Sequence, residues 1–414
     1  MTFWNDMPKH RAHRWSRRAR RRAGAGVVVG VVVLVTIFGG AIISSGGGDA
    51  TAESVRPVRA SEPRALVSKW ALTLADGPKF ALTESGLAPP REVVVIADDH
   101  VYSVALGDGT LRWTTPMKDV GEGGGAWADD TVLVSRTAGF TALERSTGKI
   151  RWQTDITETP SSVALVGPPG PAQIAVVSTV EGGLVGIDSH TGTVRWSTRL
   201  SQSPMGRFAM DEESGSLATI WAGDPDGAML RVIDGATGAV RWEQRVRQGV
   251  DSPVIGDGLV VIGSVDPTLA SDVRAFALAD GTPRWKTRAF GSFQPEEVPL
   301  VDRGELFMVD TVGHVLRIRM ADGKRRWMMD TKALSIDAKP IRVDDAILFT
   351  NLSGEIITLA RATGGPRRLT QLAGAPTALI ATRRFVVVLQ RLRPTDTIEA
   401  FGRARLAAPA RIRK

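Results

Sequence analysis

The stretch TGKIRW at residues 147–152 recurs along the chain and decides the fold. Variants of it stand at regular positions: DGTLRW at 108–113, TGTVRW at 191–196, TGAVRW at 237–242, DGTPRW at 280–285, DGKRRW at 322–327 and a degenerate TGGPRR at 363–368. Successive units are separated by 39 to 46 residues. A period of about 40–45 residues is that of one four-stranded propeller blade.

Each unit contains the same order of strand patterns. A β-branched run, such as VVVIA at 93–97 or AILFT at 346–350, is followed by an alternating run, such as GFTALER at 139–145. Alternation of apolar and polar residues is typical of a half-buried strand. The glycine of the motif accepts the positive φ of a tight hairpin, and the last strand then carries Arg-Trp. Each unit therefore predicts one blade of antiparallel strands.

The two ends of the chain determine the number of blades. After residue 368 two further strand patterns follow, FVVVLQ at 385–390 and TIEAFG at 397–402, but no tryptophan comes after them. Trp70, preceded by Lys69, lies 43 residues before Trp113. We therefore expect the N-terminal strand to complete the last blade, because ring closure removes exposed strand edges. The prediction is an all-β, eight-bladed β-propeller of four-stranded antiparallel blades over residues 65–405, preceded by one N-terminal transmembrane helix.

The positive charge is concentrated before the propeller. Residues 1–25 contain eight lysines and arginines against the single Asp6, which leaves about +1 of the net +8 for the rest of the chain. A nearly neutral propeller predicts no nucleic-acid partner.

An apolar segment follows the basic residues. Residues 24–45 carry no charge and are long enough to cross a hydrocarbon core of about 30 Å as a helix. The basic tail, residues 1–23, predicts a cytoplasmic N-terminus, so that the chain is a single-pass protein of the cell membrane with an extracytoplasmic propeller. An uncleaved signal-anchor is favoured because the apolar stretch exceeds a usual signal-peptide core; cleavage after export is the alternative. Residues 46–64 are predicted to be a flexible linker and residues 406–414 a basic C-terminal tail.

The repeat resembles the PQQ-like (quinoprotein) β-propeller repeat, especially that of the BamB-type envelope assembly proteins, over about residues 65–405. The resemblance implies that each repeat tryptophan docks between neighbouring blades. These tryptophans are Trp70, Trp113, Trp152, Trp196, Trp242, Trp285 and Trp327. The turn glycines of the motif are Gly109, Gly148, Gly192, Gly238, Gly281, Gly323 and Gly364.

Several classes of chemistry are disfavoured by the sequence. The chain has no cysteine, which excludes disulfides, thiolate metal sites and cysteine nucleophiles. Quinoprotein dehydrogenases hold their quinone against an adjacent-cysteine disulfide beside a calcium ion, so the resemblance does not extend to that cofactor. Acidic pairs such as Asp129-Asp130 and Asp344-Asp345 precede β-branched runs, where turn formation explains them. We expect no catalytic residue, no cofactor and no metal.

A glycine-rich run and two tryptophans of the predicted propeller stand outside the repeat motif. The run Gly121–Gly125 lacks the Lys-Ser/Thr of a phosphate loop and is interpreted as an inter-strand loop. Trp127 and Trp221 lie outside the repeat position, and they are either core residues or exposed interaction anchors.

An arginine precedes the tryptophan position in every unit. Neighbouring residues in a strand point to opposite faces, so these arginines point away from the tryptophans. They either pair with carboxylates of the outer strands or contact an anionic partner, such as a cell-wall polymer or a lipid headgroup. The arginines are Arg112, Arg151, Arg195, Arg241, Arg284, Arg326 and Arg367.

The leading hypothesis is a membrane-anchored, non-enzymatic scaffold for protein–protein interaction in the cell envelope, with an envelope protein as partner. It follows from the resemblance. BamB-type proteins are cysteine-lipidated, however, so their outer-membrane role is not transferred to this chain. The second hypothesis is a sensor that binds a small ligand or glycan in the propeller funnel. A PQQ-dependent dehydrogenase is third, disfavoured by the chain length and the lack of cysteine.

Overall fold

The computed structural model describes residues 67–74, 76, 78–83, 90–168, 170, 172–200, 204–222, 227–246, 252–265, 271–289, 299–310, 313–331, 338–351, 353–391, 396–403 and 406. The predicted basic tail, transmembrane helix and linker, residues 1–64, lie outside this range, as do residues 407–414. Within it, no helix is both long and apolar enough to cross a membrane.

The described residues form 32 strands. The first sixteen are β1 Trp70–Leu74, β2 Pro78–Thr83, β3 Glu92–Ala97, β4 His100–Ala105, β5 Leu111–Pro116, β6 Val120–Ala128, β7 Thr131–Arg136, β8 Gly139–Glu144, β9 Ile150–Asp155, β10 Pro160–Val166, β11 Ile174–Thr179, β12 Gly183–Asp188, β13 Val194–Arg199, β14 Pro204–Asp211, β15 Ser216–Ala222 and β16 Ala228–Asp234. The others are β17 Val240–Val246, β18 Val254–Gly256, β19 Leu259–Val265, β20 Ser271–Ala277, β21 Pro283–Arg288, β22 Leu300–Asp302, β23 Glu305–Val309, β24 His314–Arg319, β25 Arg325–Asp330, β26 Ile341–Val343, β27 Ala346–Thr350, β28 Glu355–Ala360, β29 Pro366–Gln371, β30 Ala375–Ala381, β31 Phe385–Arg391 and β32 Asp396–Gly402.

These strands form eight four-stranded antiparallel sheets within the described part of the chain. Blades 1 to 7 each take four consecutive strands, from β2–β5 to β26–β29. Blade 8 has the order β30-β31-β32-β1, with Trp70 opposite Ala400 and Leu74 opposite Asp396. The predicted eight-bladed propeller, and its closure by the N-terminal strand, are therefore confirmed.

The burial of the strands explains the two sequence patterns within each unit. The second strand of a blade is buried along its whole length, as in β3 and β27, because neighbouring blades pack on both of its faces. This accounts for the continuous β-branched runs. The outer strands β9, β13 and β21 alternate between exposed and half-buried positions instead.

The interpretation of Gly121–Gly125 as a loop is wrong. These glycines lie within β6, the innermost strand of blade 2, where the register shifts between Val120 and Gly125. A side-chain carbon at Gly125 would lie 2.7 Å from Cδ1 of Ile96, and one at Gly123 would lie 2.9 Å from Cβ of Pro160. Glycine is required here because strands of both neighbouring blades approach β6 closely, and a glycine run with this role resembles a loop signal in sequence.

Candidate functional site

Each repeat tryptophan packs on the turn glycine of the next blade. A side-chain carbon at Gly148 would lie 2.5 Å from Cε3 of Trp113, and the same glycine has a φ of +71°. The position therefore requires glycine for conformation and for space. The pairs are Trp70 with Gly109, Trp113 with Gly148, Trp152 with Gly192, Trp196 with Gly238, Trp242 with Gly281, Trp285 with Gly323 and Trp327 with Gly364.

Hydrogen bonds fix four of these indoles. The Trp113 Nε1–H donates to the Arg145 carbonyl at 2.6 Å, and the Trp285 Nε1–H donates to the Met320 carbonyl at 2.6 Å. Trp242 and Trp327 donate in the same way at 2.7 and 3.0 Å. The Nε1 atoms of Trp70, Trp152 and Trp196 have no acceptor within the described structure. The seven indoles therefore share their packing but not their hydrogen bonding.

Most motif arginines pair with a carboxylate of their own blade. Arg151 contacts Asp130 at 2.6 Å and Arg241 contacts Asp234 at 2.6 Å. Arg195 pairs with Asp188 and Arg367 with Asp345. Of the two predicted roles, this geometry favours carboxylate pairing.

The remaining three motif arginines are held more loosely. Arg112 lies 3.6 Å from Glu92 and Arg326 lies 3.9 Å from Glu305. Arg284 has no ion pair to any residue that the structure describes. In a close pair, the arginine also lowers the pKa of its partner carboxylate. Hydrogen bonding to Arg241 lowers the pKa of Asp234 below its usual value.

The two propeller tryptophans outside the repeat position are core residues. Trp221 in β15 is fully buried, and Trp127 in β6 is 9% exposed. The guanidinium of Arg145 lies 4.7 Å from the centroid of the Trp127 ring. Neither indole is available as an exposed interaction anchor.

The histidines of the propeller do not form a site together. His100 Nδ1 lies 3.2 Å from Asp76 Oδ2, His314 Nδ1 lies 2.9 Å from Asp310 Oδ2, and His190 is exposed in a turn. No cluster of three or more His, Asp or Glu side chains with metal-binding geometry occurs among the described residues.

The inner strands surround an axial channel. It contains a cavity of about 490 Å³ lined by residues of β2, β6, β10, β14 and β30 and by the residues before β18 and β26. Serine and threonine side chains contribute to the wall. The cavity is large enough for a small organic ligand.

Basic side chains dominate the charge of this channel. Lys79 forms ion pairs with Glu122, at 2.8 Å, and with Asp98. Burial by itself lowers the pKa of Lys79, but the two ion pairs raise it above its usual value. Lys339 has no hydrogen bond or ion pair to any described residue. Its side chain is exposed on the channel wall, yet surrounding protein and the charge of Arg207 lower its pKa. Arg207 and Lys339 therefore place two cations beside one cavity.

Sequence reasoning missed these channel residues. Arg207 stands in β14 (PMGRFAMD), and Lys339 precedes the three-residue strand β26. Inner strands carry no motif residue. No motif or regular spacing in the sequence marks either residue.

Comparison with known proteins agrees with this architecture. The family described as outer membrane protein assembly factor BamB matches residues 97–327 and 218–404. No curated protein matches the sequence.

Several solved structures share the fold. BamB from Moraxella catarrhalis superposes with a TM-score of 0.61 at 16% identity, covering 81% of this chain and 100% of that one. A europium-containing methanol dehydrogenase gives 0.62 at 11% identity over 80% and 85% of the two chains. The Dos1 propeller gives 0.61 at 9% identity over 81% and 95%. Because the family match spans more than half of the chain, this protein belongs to the family of the outer membrane protein assembly factor BamB.

Proposed function

We propose that this chain is a membrane-anchored, extracytoplasmic scaffold for protein–protein interaction in the cell envelope and has no enzymatic activity of its own. The observation that carries the proposal is the match to the BamB assembly-factor family across residues 97–404. The geometry supports it. A closed ring whose blades are locked by Trp–Gly contacts is a rigid frame that presents its turns to a partner.

The interaction is tested by site-specific photo-cross-linking in cells. A photoreactive residue replaces exposed turn residues, Ala321 in blade 6 or Ala236 in blade 4, and the buried Ala142 serves as the matched control. The proposal predicts a reproducible adduct with an envelope protein from exposed positions and none from Ala142. Absence of any adduct from exposed positions around the ring would contradict it.

The membrane topology is tested by cysteine labelling, for which a chain without cysteine is well suited. Ala321→Cys should react with a membrane-impermeant maleimide in intact spheroplasts, and Ser16→Cys should react only after lysis. The protein should also stay in the membrane fraction after alkaline extraction. Labelling of Ala321→Cys only after lysis would refute the extracytoplasmic placement.

A second candidate function is favoured by the channel. Lys339 and Arg207 beside a cavity of about 490 Å³ suit a small anionic ligand, since two neighbouring cations repel each other and gain from an opposite charge between them. Isothermal titration with inorganic phosphate and citrate tests this function. Saturable binding that Lys339→Gln abolishes and Arg288→Gln leaves intact would support it. No saturable binding of either probe would remove it.

A further inference from the structure

One backbone hydrogen bond recurs in all eight blades and identifies an equivalent residue in each of them. In every blade, the amide of the residue that follows the third strand donates to the carbonyl of the residue that precedes the second strand. The residues that accept this bond, from blade 1 to blade 8, are Arg91, Asp130, Gln173, Gly215, Gly258, Gly304, Asp345 and Arg384. The eight positions are therefore structurally equivalent.

The charge at this position reverses at one place in the ring. In blades 2 and 7 it is an aspartate, and each aspartate pairs with the motif arginine of its own blade: Asp130 with Arg151 and Asp345 with Arg367. In blades 1 and 8 it is an arginine. These two blades are neighbours, since β1 closes the ring and Trp70 of blade 8 packs on Gly109 of blade 1.

The two arginines border one groove. This groove, here called the seam groove, has a volume of about 380 Å³ and runs between the β30–β31 turn of blade 8 and the β4–β5 turn of blade 1. Its lining includes Arg91, Arg112, Arg383 and Arg384 against the single acidic residue Asp108. The seam groove is thus a concentration of positive charge on a propeller that is otherwise nearly neutral.

The arginines of the seam groove differ from the motif arginines in their partners. The side chains of Arg91, Arg383 and Arg384 are exposed, and none has a hydrogen-bond or ion-pair partner in the described part of the chain. Blade 8 also lacks a motif arginine, because Lys69 stands directly before Trp70, the first residue of its outer strand β1. Arg112 is engaged at 3.6 Å by the buried Glu92. Three guanidinium groups are therefore free to bind an external anion.

We propose that the seam groove is a docking site for an acidic, extended segment of a partner protein, whose carboxylates pair with Arg91, Arg383 and Arg384. A guanidinium matches a carboxylate through two parallel hydrogen bonds. Pro90, Leu106 and Phe385 give the groove apolar walls between these charges. A cleft that combines positive charge with apolar walls suits an extended peptide in which acidic and apolar side chains alternate. A lipid surface presents a broad plane of headgroups instead. This inference rests on the scaffold function proposed above.

The binding test uses the full chain in detergent micelles. The probe is a fluorescein-labelled peptide of alternating Glu and Leu, with a Lys-and-Leu peptide as its counterpart, and the readout is fluorescence anisotropy. We expect saturable binding of the acidic peptide only, weakening steeply as salt is raised. Arg384→Glu and Arg91→Glu should each weaken binding at least about tenfold. Arg288→Glu, which reverses an exposed arginine on the outer strand of blade 5, should leave it unchanged.

Other outcomes overturn the inference. Equal binding by wild type and Arg384→Glu, or no saturable binding of the acidic peptide, contradicts it. So does displacement of the peptide by phosphatidylglycerol in mixed micelles at a lower concentration than by unlabelled peptide, which would assign the groove to lipid. The variants are accepted only with unchanged melting temperatures.

The scaffold function and the seam-groove proposal can be disproved independently of each other. If wild type and Arg384→Glu give the same envelope adduct in cells, the scaffold stands and the seam groove does not. If cells give no adduct, the scaffold fails, while the peptide titration still reports on the groove.

Discussion

The indole of Trp70 packs on Gly109, and through this contact the first strand of the chain joins the last blade to the first. Trp70 lies in β1, the outer strand of blade 8, whereas Gly109 forms the β4–β5 turn of blade 1. The contact repeats the geometry of Trp113 on Gly148 and of five further pairs. An indole can bury about 200 Å², which corresponds to about 5 kcal/mol as an upper estimate. The Trp–Gly contact therefore adds to the packing of the buried aliphatic side chains between neighbouring blades.

Gly148→Ala should destabilise the propeller more than Gly258→Ala. Both glycines have a positive φ, +71° and +69°, so both substitutions carry a backbone strain of about 1 kcal/mol. A side chain at Gly258 meets nothing within 4 Å, whereas one at Gly148 overlaps the ring of Trp113. We expect Gly148→Ala to cost about 2 kcal/mol more in the free energy of unfolding. Urea denaturation followed by tryptophan fluorescence measures both, and equal losses would contradict the docking role of Trp113.

Replacing docking tryptophans by phenylalanine should separate packing from hydrogen bonding. Trp113→Phe removes the donor of the Arg145 carbonyl, while the Nε1 atom of Trp196 has no acceptor within the described structure. Trp113→Phe should therefore cost about 1 kcal/mol more than Trp196→Phe. Thermal melts by circular dichroism compare the two variants. A larger loss for Trp196→Phe would show that the hydrogen bond adds nothing to the contact.

The repeat made the blades predictable because a tight turn and a docking indole need particular residues at fixed spacing. Trp70 could be assigned to the last blade by that spacing and by the lack of a tryptophan after the last two strand patterns. The partners of the motif arginines within each blade were not predictable: Arg151 pairs with Asp130 in the β6–β7 turn, whereas Arg195 pairs with Asp188 at the end of β12. The seam groove did carry a signal, since Arg383-Arg384 stands where blades 2 and 7 have Asp-Asp. The sequence alone does not show that these arginines lie beside Arg91 of blade 1, because the two segments are far apart along the chain.

Acid should weaken the propeller partly through Asp322. Hydrogen bonding to Arg319 lowers the pKa of this carboxyl to about 2 in the folded state. The unfolded value is about 3.9, so the ionised pair stabilises the fold above that pH and its contribution is lost as pH falls from about 4 to about 2. Asp322→Asn should lower the melting temperature at pH 5 and flatten its decline below pH 4. Glu212→Gln, at an exposed turn position, is the control, and parallel curves for wild type and Asp322→Asn would refute the assignment.

Removing β1 should open the ring. A chain lacking residues 1–74 loses the pairing of Trp70 with Ala400 and the Trp70–Gly109 contact, whereas a chain lacking residues 1–66 keeps both. Without β1, β32 becomes an exposed edge that can pair with another copy. We expect the shorter chain to melt at least about 10 °C lower, since several kcal/mol of packing is lost, and to self-associate in sedimentation velocity. The longer chain should remain monomeric, and the same behaviour from both would mean that blade 8 is stable with three strands.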